Sequence, residues 1–277
     1  MTQTYPLMQP EMLERYLDIL GVPRRKPSLA NLYELVQAHL FRVPFDSLSK
    51  LYYKQHRGLC SLPGLELYLD GIARFNFGGT CYTNNFYFYQ LLANLGYQIW
   101  LCGADMTNPD VHLVSIVTLE GREYLVDVGY AAPFAAPLPR DLTTDYIIEL
   151  GRDRYVFKPQ DAQGRSVLEL HRAGTLRHGY TVKPQPRQIG EFEGVIADSF
   201  RTEATFMKAL LLARFFPNRS LVIHNLNVVE SQGSEFKSRT LASTAELAQA
   251  VQEYFAIPAE VVTDVLAELD ISGDAWS

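Results

Sequence analysis

The chain has 277 residues, 47% of them hydrophobic and 20% charged, with a formal net charge of −6. That supplies apolar material for one large core or two to three small domains. The mild acidity argues against a nucleic-acid binder, which normally gathers basic residues on one face, and no apolar run reaches the length of a membrane span.

The first third is helical in pattern. Met12, Leu13, Tyr16, Leu17 and Leu20 recur at helix spacing until Gly21 and Pro23 end the run. Ser28 is placed to cap a second helix carrying Leu29, Leu32, Leu35, Val36 and Leu40, which stops before Pro44. A third helix is expected over Leu65 to Arg74. A fourth starts near Cys81, carries Tyr82, Phe86, Tyr89, Leu92 and Leu95, and ends at Gly96. The period then changes. Tyr97 to Ala104, Val111 to Leu119 and Glu123 to Gly129 read as strands, with Glu120-Gly121 as a turn. Tyr146 to Leu150, Arg154 to Lys158 and Ser166 to His171 continue the strand pattern. Beyond Glu203, helices are expected over Thr205 to Phe215, Thr244 to Phe255 and Ala259 to Leu269, with strand material at Leu221 to Val229 and Ser238 to Leu241. Helices, then sheet, then a mixed end make an α+β protein in three segments.

Of the three cysteines, none forms a CxxC pair, and their wide spacing fits no disulfide framework. Met1 to Pro10 lacks the charged lead and apolar segment of a signal peptide. The expectation is therefore a cytoplasmic protein with reduced thiols. Cys60 and Cys102 read as small packing residues. Cys81 differs, because Gly78-Gly79 lets the backbone turn sharply just before a helix begins. First-turn N–H groups favour a thiolate and can also hold the oxyanion of an attacked thioester.

His112 and Asp127 are the other two members of a thiol-activating relay. With Glu120-Gly121 at the centre of the turn, Leu119 faces Arg122, Val114 faces Asp127 and His112 faces Gly129. His112 and Asp127 then form a diagonal pair on one strand face, roughly 7–8 Å apart at the backbone. A three-residue loop would put them on opposite faces. Val114, Ile116 and Leu125 share that face, so the two polar residues stand on an apolar surface. A buried carboxylate there would orient the imidazole and support its charged form. The bland alternative is a satisfied core histidine and a turn-capping aspartate. The remaining histidines, His39, His56, His171, His178 and His224, show no metal-ligand spacing, so no metal is expected. No phosphate-binding glycine fingerprint is present either.

With these residues in hand, the chain resembles the arylamine N-acetyltransferases. The matching strings are Val43-Pro44-Phe45, Gly78-Gly79-Thr80-Cys81 with Asn85, His112, and Tyr124-Leu125-Val126-Asp127-Val128-Gly129 followed by Pro137-Leu138. The resemblance implies an N-terminal helical bundle over 1–95, a central antiparallel β-barrel over 96–200 and a C-terminal α/β lid over 201–277, in a cysteine-protease-like arrangement. It implies ping-pong acetyl transfer from acetyl-CoA, as co-substrate, to an aromatic amine or hydrazine, with Cys81, His112 and Asp127 as catalytic triad. Phe45 and Tyr130 would line the amine pocket, and Gly129, opening the loop to Ala136, would lie near the acyl group and pantetheine arm. The chain departs from the family pattern at Phe77 and Thr83, where arginine and glutamate are usual, and at Asp46-Ser47 and Tyr130-Ala131. Losing arginine and glutamate together is what a buried ion pair permits. Three other readings stay open: a macrolactam-forming amide synthase, a transglutaminase- or papain-like thiol enzyme, and a non-catalytic binding protein on the same scaffold.

Overall fold

A computed structural model describes residues 7–269 and 271. The first helices are α1 (Pro10–Leu20), α2 (Leu29–Arg42), α3 (Leu48–Arg57), α4 (Leu65–Phe75) and α5 (Cys81–Asn94), with the two-residue strand β1 (Phe45–Asp46) between α2 and α3. Pro10 opens α1, where its missing N–H is harmless, and left-handed Gly21 closes it. The Ser28 hydroxyl accepts the backbone N–H of Asn31 at 3.1 Å and caps α2 as expected. Helix α3 was not expected; it turns Leu48, Leu51 and Tyr53 inward. Helix α5 is buried on nearly every side, which makes it the central helix of the core.

The strands that follow are β2 (Gln98–Asp105), β3 (His112–Leu119), β4 (Arg122–Val126), β5 (Leu138–Pro139), β6 (Tyr146–Leu150), β7 (Asp153–Phe157), β8 (Ser166–Arg172) and β9 (Thr175–Val182). They form one antiparallel sheet in the order β5-β4-β3-β2-β9-β8-β7-β6. The segment expected as a barrel is thus an eight-stranded sheet with β5 and β6 at its two ends. A physical stop is visible at one end, where β5 is two residues long and finishes on Pro139, which has no N–H to extend a ladder. Leu119 pairs with Arg122 and Ser115 with Val126, the register expected from the Glu120-Gly121 turn. Both turn residues have positive φ, 53° and 76°, which is the two-residue hairpin geometry that matches strand twist.

After a short 3-10 turn at Ile189–Phe192 come α6 (Glu193–Asp198), α7 (Thr205–Lys208), β10 (Leu211–Phe216), β11 (Arg219–His224), β12 (Asn227–Gln232), β13 (Glu235–Thr240), α8 (Thr244–Phe255) and α9 (Ala259–Leu266). The helix expected over Thr205 to Phe215 is instead one turn of helix followed by strand β10. That strand is paired on both sides, with β1 and β11, so its apolar run carries no period that separates strand from helix. The strand expected over Leu221 to Val229 is two strands joined at Asn225-Leu226, where Asn225 takes φ 49°. The second sheet runs β1-β10-β11-β12-β13. Through β1, a segment between two N-terminal helices becomes the edge of a sheet built from the C-terminal third.

Candidate active site

Three pieces of backbone meet at one place. Helix α5 packs its apolar side against Leu113, Val117 and Val126 on one face of the large sheet. Val114, Ile116 and Leu125 point to the opposite face, with Phe134, Tyr155 and Tyr180. His112 is the first residue of β3, and Asp127 is the first beyond β4, so both stand at the sheet end reached by the start of α5.

The turn before Cys81 is fixed by close approach. A Cβ at Gly78 would overlap the carbonyl oxygen of Pro44, which leaves room only for glycine. The fully buried Asp46 carboxylate accepts the N–H of Gly78 and the N–H of Ser49, each at 2.5 Å. Burial raises the Asp46 pKa above the usual carboxylate range, against the pull of those N–H groups. Among the described residues Asp46 has no cationic partner. Phe77, where the family pattern has arginine, packs among Tyr52, Tyr53 and Phe75. Asn84 ties the same turn to its surroundings, donating to Pro44 O at 3.2 Å and Gly79 O at 3.1 Å while accepting the Tyr68 hydroxyl at 3.1 Å.

Cys81 is the first residue of α5 and is partly exposed. Its thiol donates to Val111 O at 3.8 Å and interacts electrostatically with the His112 ring. The His112 ring nitrogen Nε2 lies 2.8 Å from Asp127 Oδ2, with 2% and 0% of the two side chains exposed. Asp127 Oδ1 accepts Asn85 Nδ2 at 2.8 Å and Gly129 N–H at 3.0 Å. Asn85 in turn accepts Val128 N–H at 2.8 Å, so its orientation is set. Burial alone would favour a neutral ring, but Asp127, and after it Cys81, outweigh it and raise the His112 pKa. Asp127 is buried too, yet the His112 charge and the donors around it hold its carboxyl below the ordinary value. The pair therefore keeps a carboxylate beside a charged or chargeable imidazole. The Tyr180 ring lies 4.8 Å from that of His112.

Gly129 backs directly onto the thiol-bearing residue. A Cβ there would sit 2.7 Å from Asn85 Nδ2 and 2.8 Å from Cys81 Cα and O. Tyr130 is 5.5 Å from the His112 ring, and its hydroxyl meets His178 Nδ1 at 2.6 Å. Phe45 packs on Phe206 at 5.4 Å. A cavity of about 470 Å³ opens at Cys81, walled by Thr80, Tyr82, Lys50, Val111, Phe200 and Phe206 among others. Neither Phe45 nor Tyr130 is among the residues walling that cavity: Phe45 touches it through Phe206, and Tyr130 lies beside His112. Cys60 is exposed, while Cys102 is buried and its thiol is pushed up to about 12 by desolvation. No cluster of histidine, cysteine and carboxylate among the described residues could hold a metal ion, and no helix there is long and apolar enough to cross a membrane.

Residues that pattern reading passed over include Asn84, Tyr180 and Lys50. Asn84 was detectable, since an amide in a helix buried all round must find partners. The others become visible only when distant segments are brought together.

The N-acetyltransferase family model matches residues 28–264 of the chain. The chain belongs to the arylamine N-acetyltransferase family. It is 26% identical to arylamine N-acetyltransferase 2 of Rattus norvegicus over 212 residues, 66% of this chain and 70% of the rat protein. It is 25% identical to proansamycin X synthase of Amycolatopsis mediterranei (strain S699) over 253 residues, 84% of this chain and 93% of that enzyme. The fold matches the Mycobacterium marinum arylamine N-acetyltransferase solved in complex with CoA, with a TM-score of 0.75 and 23% identity, covering 91% of this chain and 94% of that one.

Proposed function

We propose that this chain moves an acetyl group from acetyl-CoA to the nitrogen of an aromatic amine or hydrazine, through an acetyl-Cys81 intermediate. The observation that carries the reading is the buried His112 ring, held at 2.8 Å by Asp127, with Cys81 acting on it electrostatically from the start of α5. His112 takes the thiol proton, and the sulfur attacks the thioester carbonyl carbon. The carbon–sulfur bond to CoA breaks, and the CoA thiol leaves with the proton that His112 returns. First-turn N–H groups of α5 face the developing oxyanion. An amine nitrogen then attacks the acetyl-thioester, His112 accepts its proton, and the Cys81 sulfur departs. Asp127 stays ionised throughout and fixes the ring so that Nδ1 faces the sulfur. This is the cysteine-protease-like division of labour, with a helix carrying the nucleophile and a sheet carrying its base. In the same reading Phe45 and Tyr130 line the amine pocket, and Gly129 opens the loop near the acyl group.

A second reading has a specific observation in its favour. The match to proansamycin X synthase spans 84% of this chain, against 66% for the rat acetyltransferase. An amide synthase would use the same relay on a carrier-bound acyl chain. Exposure to acetyl-CoA followed by digestion separates the two. An acetyl mass increment on the Cys81 peptide, absent from Cys81→Ala, supports acetyl transfer. An unmodified Cys81 that instead reacts with a carrier thioester favours the amide synthase.

A further inference from the structure

The cavity at Cys81 holds a charge that the relay does not use. Lys50 lies on α3, two residues after Leu48, and its side chain enters the cavity wall beside the nucleophile. Its ammonium donates to Ser199 O at 2.6 Å and Ser199 Oγ at 2.7 Å, and sits 4.1 Å above the Phe200 ring. All of these partners are uncharged. Among the described residues no carboxylate lies within ion-pairing distance of Lys50. The one acidic residue on the wall, Asp198, has a side chain 71% exposed and turned to Arg201 at 3.2 Å. Lys54, one helical turn further on, binds Phe200 O at 2.6 Å, which anchors the same segment without entering the cavity. A tether to Ser199 alone would not require an ammonium in the wall of the cavity that holds Cys81.

A largely desolvated cation without a counter-charge is costly, and the cost is recovered when an anion enters. We propose that Lys50 is the counter-ion for a carboxylate carried by one of the two reactants: the free-acid end of a dicarboxylic acyl group on CoA, or the ring carboxylate of an aminobenzoate. This deepens the proposed acyl transfer and rests on it. The phosphates of CoA are a different matter, because they lie a whole pantetheine arm away from the thioester carbon that must reach Cys81. A cavity of about 470 Å³ has room for an acyl chain and an aromatic ring. In the acyl arm, the carbon–sulfur bond to CoA breaks and the bond to Cys81 forms as above, while the distal carboxylate is a spectator held by Lys50. Desolvation draws the Lys50 ammonium down to about 8, against the Coulomb pull of Cys81. Lys54 on its own helix lowers it further, and Cys81 is the titratable group facing it from α5. The ammonium is thus charged at neutral pH and deprotonates in mild base.

The test uses the full chain, Lys50→Met and Lys50→Arg, and reads ratios of kcat/KM. One arm compares succinyl-CoA with butyryl-CoA using an uncharged arylamine; the other compares para-aminobenzoate with para-aminobenzamide using acetyl-CoA. The expected result is an acidic-over-neutral preference of about tenfold in one arm, removed by Lys50→Met and kept by Lys50→Arg. The arm that shows it names the reactant. A parent with no acidic preference in either arm overturns the assignment, and that holds even if Lys50→Met does not fold. So does a Lys50→Met variant that slows acidic and neutral reactants alike. Transfer to para-aminobenzamide with flat ratios removes only the role of Lys50. Absence of any acyl-Cys81 peptide with every acyl-CoA removes the proposed function too.

Discussion

Replacing Asp127 by asparagine probes the relay without changing its shape, and the hydrogen bonds around it predict which way the new amide must sit. Oδ1 of Asp127 receives two N–H donors, Asn85 Nδ2 and Gly129 N. Asn85 cannot flip to relieve a clash, because its Oδ1 already accepts Val128 N–H and its Nδ2 also donates to Leu113 O. The asparagine oxygen must therefore take the Oδ1 place and its NH2 the Oδ2 place, 2.8 Å from His112 Nε2. Nε2 then becomes an acceptor, and the ring carries its proton on Nδ1, facing Cys81. In that tautomer the ring cannot accept the thiol proton. The cost should resemble the loss of a general base from a working relay, about 10³- to 10⁴-fold in the acylation rate, or roughly 4–5.5 kcal/mol of barrier. Single-turnover acetylation of the Cys81 peptide by mass spectrometry measures it, with a urea midpoint as the check on folding. A folded Asp127→Asn protein acetylated within tenfold of the parent rate would refute the tautomer argument.

Other outcomes follow from the same geometry. Gly129→Ala should lose about 1–3 kcal/mol in urea unfolding and slow acylation, because its Cβ is forced within 2.8 Å of Cys81 and Asn85; a variant as stable as the parent would contradict the close approach. Brief native alkylation followed by peptide mapping should leave Cys102 unmodified, since it is buried and its thiol is pushed up to about 12; early labelling there would count against that burial. His39 is fully buried and desolvation lowers its pKa to about 3 from an ordinary 6.5. The unfolded chain therefore binds its proton first, so the stability this residue contributes is full above pH 6.5 and drains away as pH falls toward 3. The slope is at most about 1.4 kcal/mol per pH unit. Urea midpoints at pH 7 and pH 5 should differ less in His39→Leu than in the parent, and an equal difference would show that the ring is not buried neutral.

Local pattern alone was enough for much of this molecule. The helices around Leu13 to Leu20 and Leu32 to Leu40 follow from apolar spacing, and their ends from Gly21 and Ser28, because those interactions lie within a few residues of one another. The register that joins His112 to Asp127 was legible for the same reason: a two-residue turn at Glu120-Gly121 fixes every pair in the hairpin. The resemblance then supplied the chemistry. What only the tertiary structure decided involves partners far apart in the chain. Leu211 to Phe216 is paired along its whole length with β11, and its other edge is covered at Leu212 and Ala213 by β1, more than 160 residues upstream. The cavity exists because the segment through Ser199 folds back over α3 and Cys81, and it holds a cation because Lys50 meets that segment. Apolar periodicity records which face of an element is buried, and carries no information about which distant residue will be buried against it.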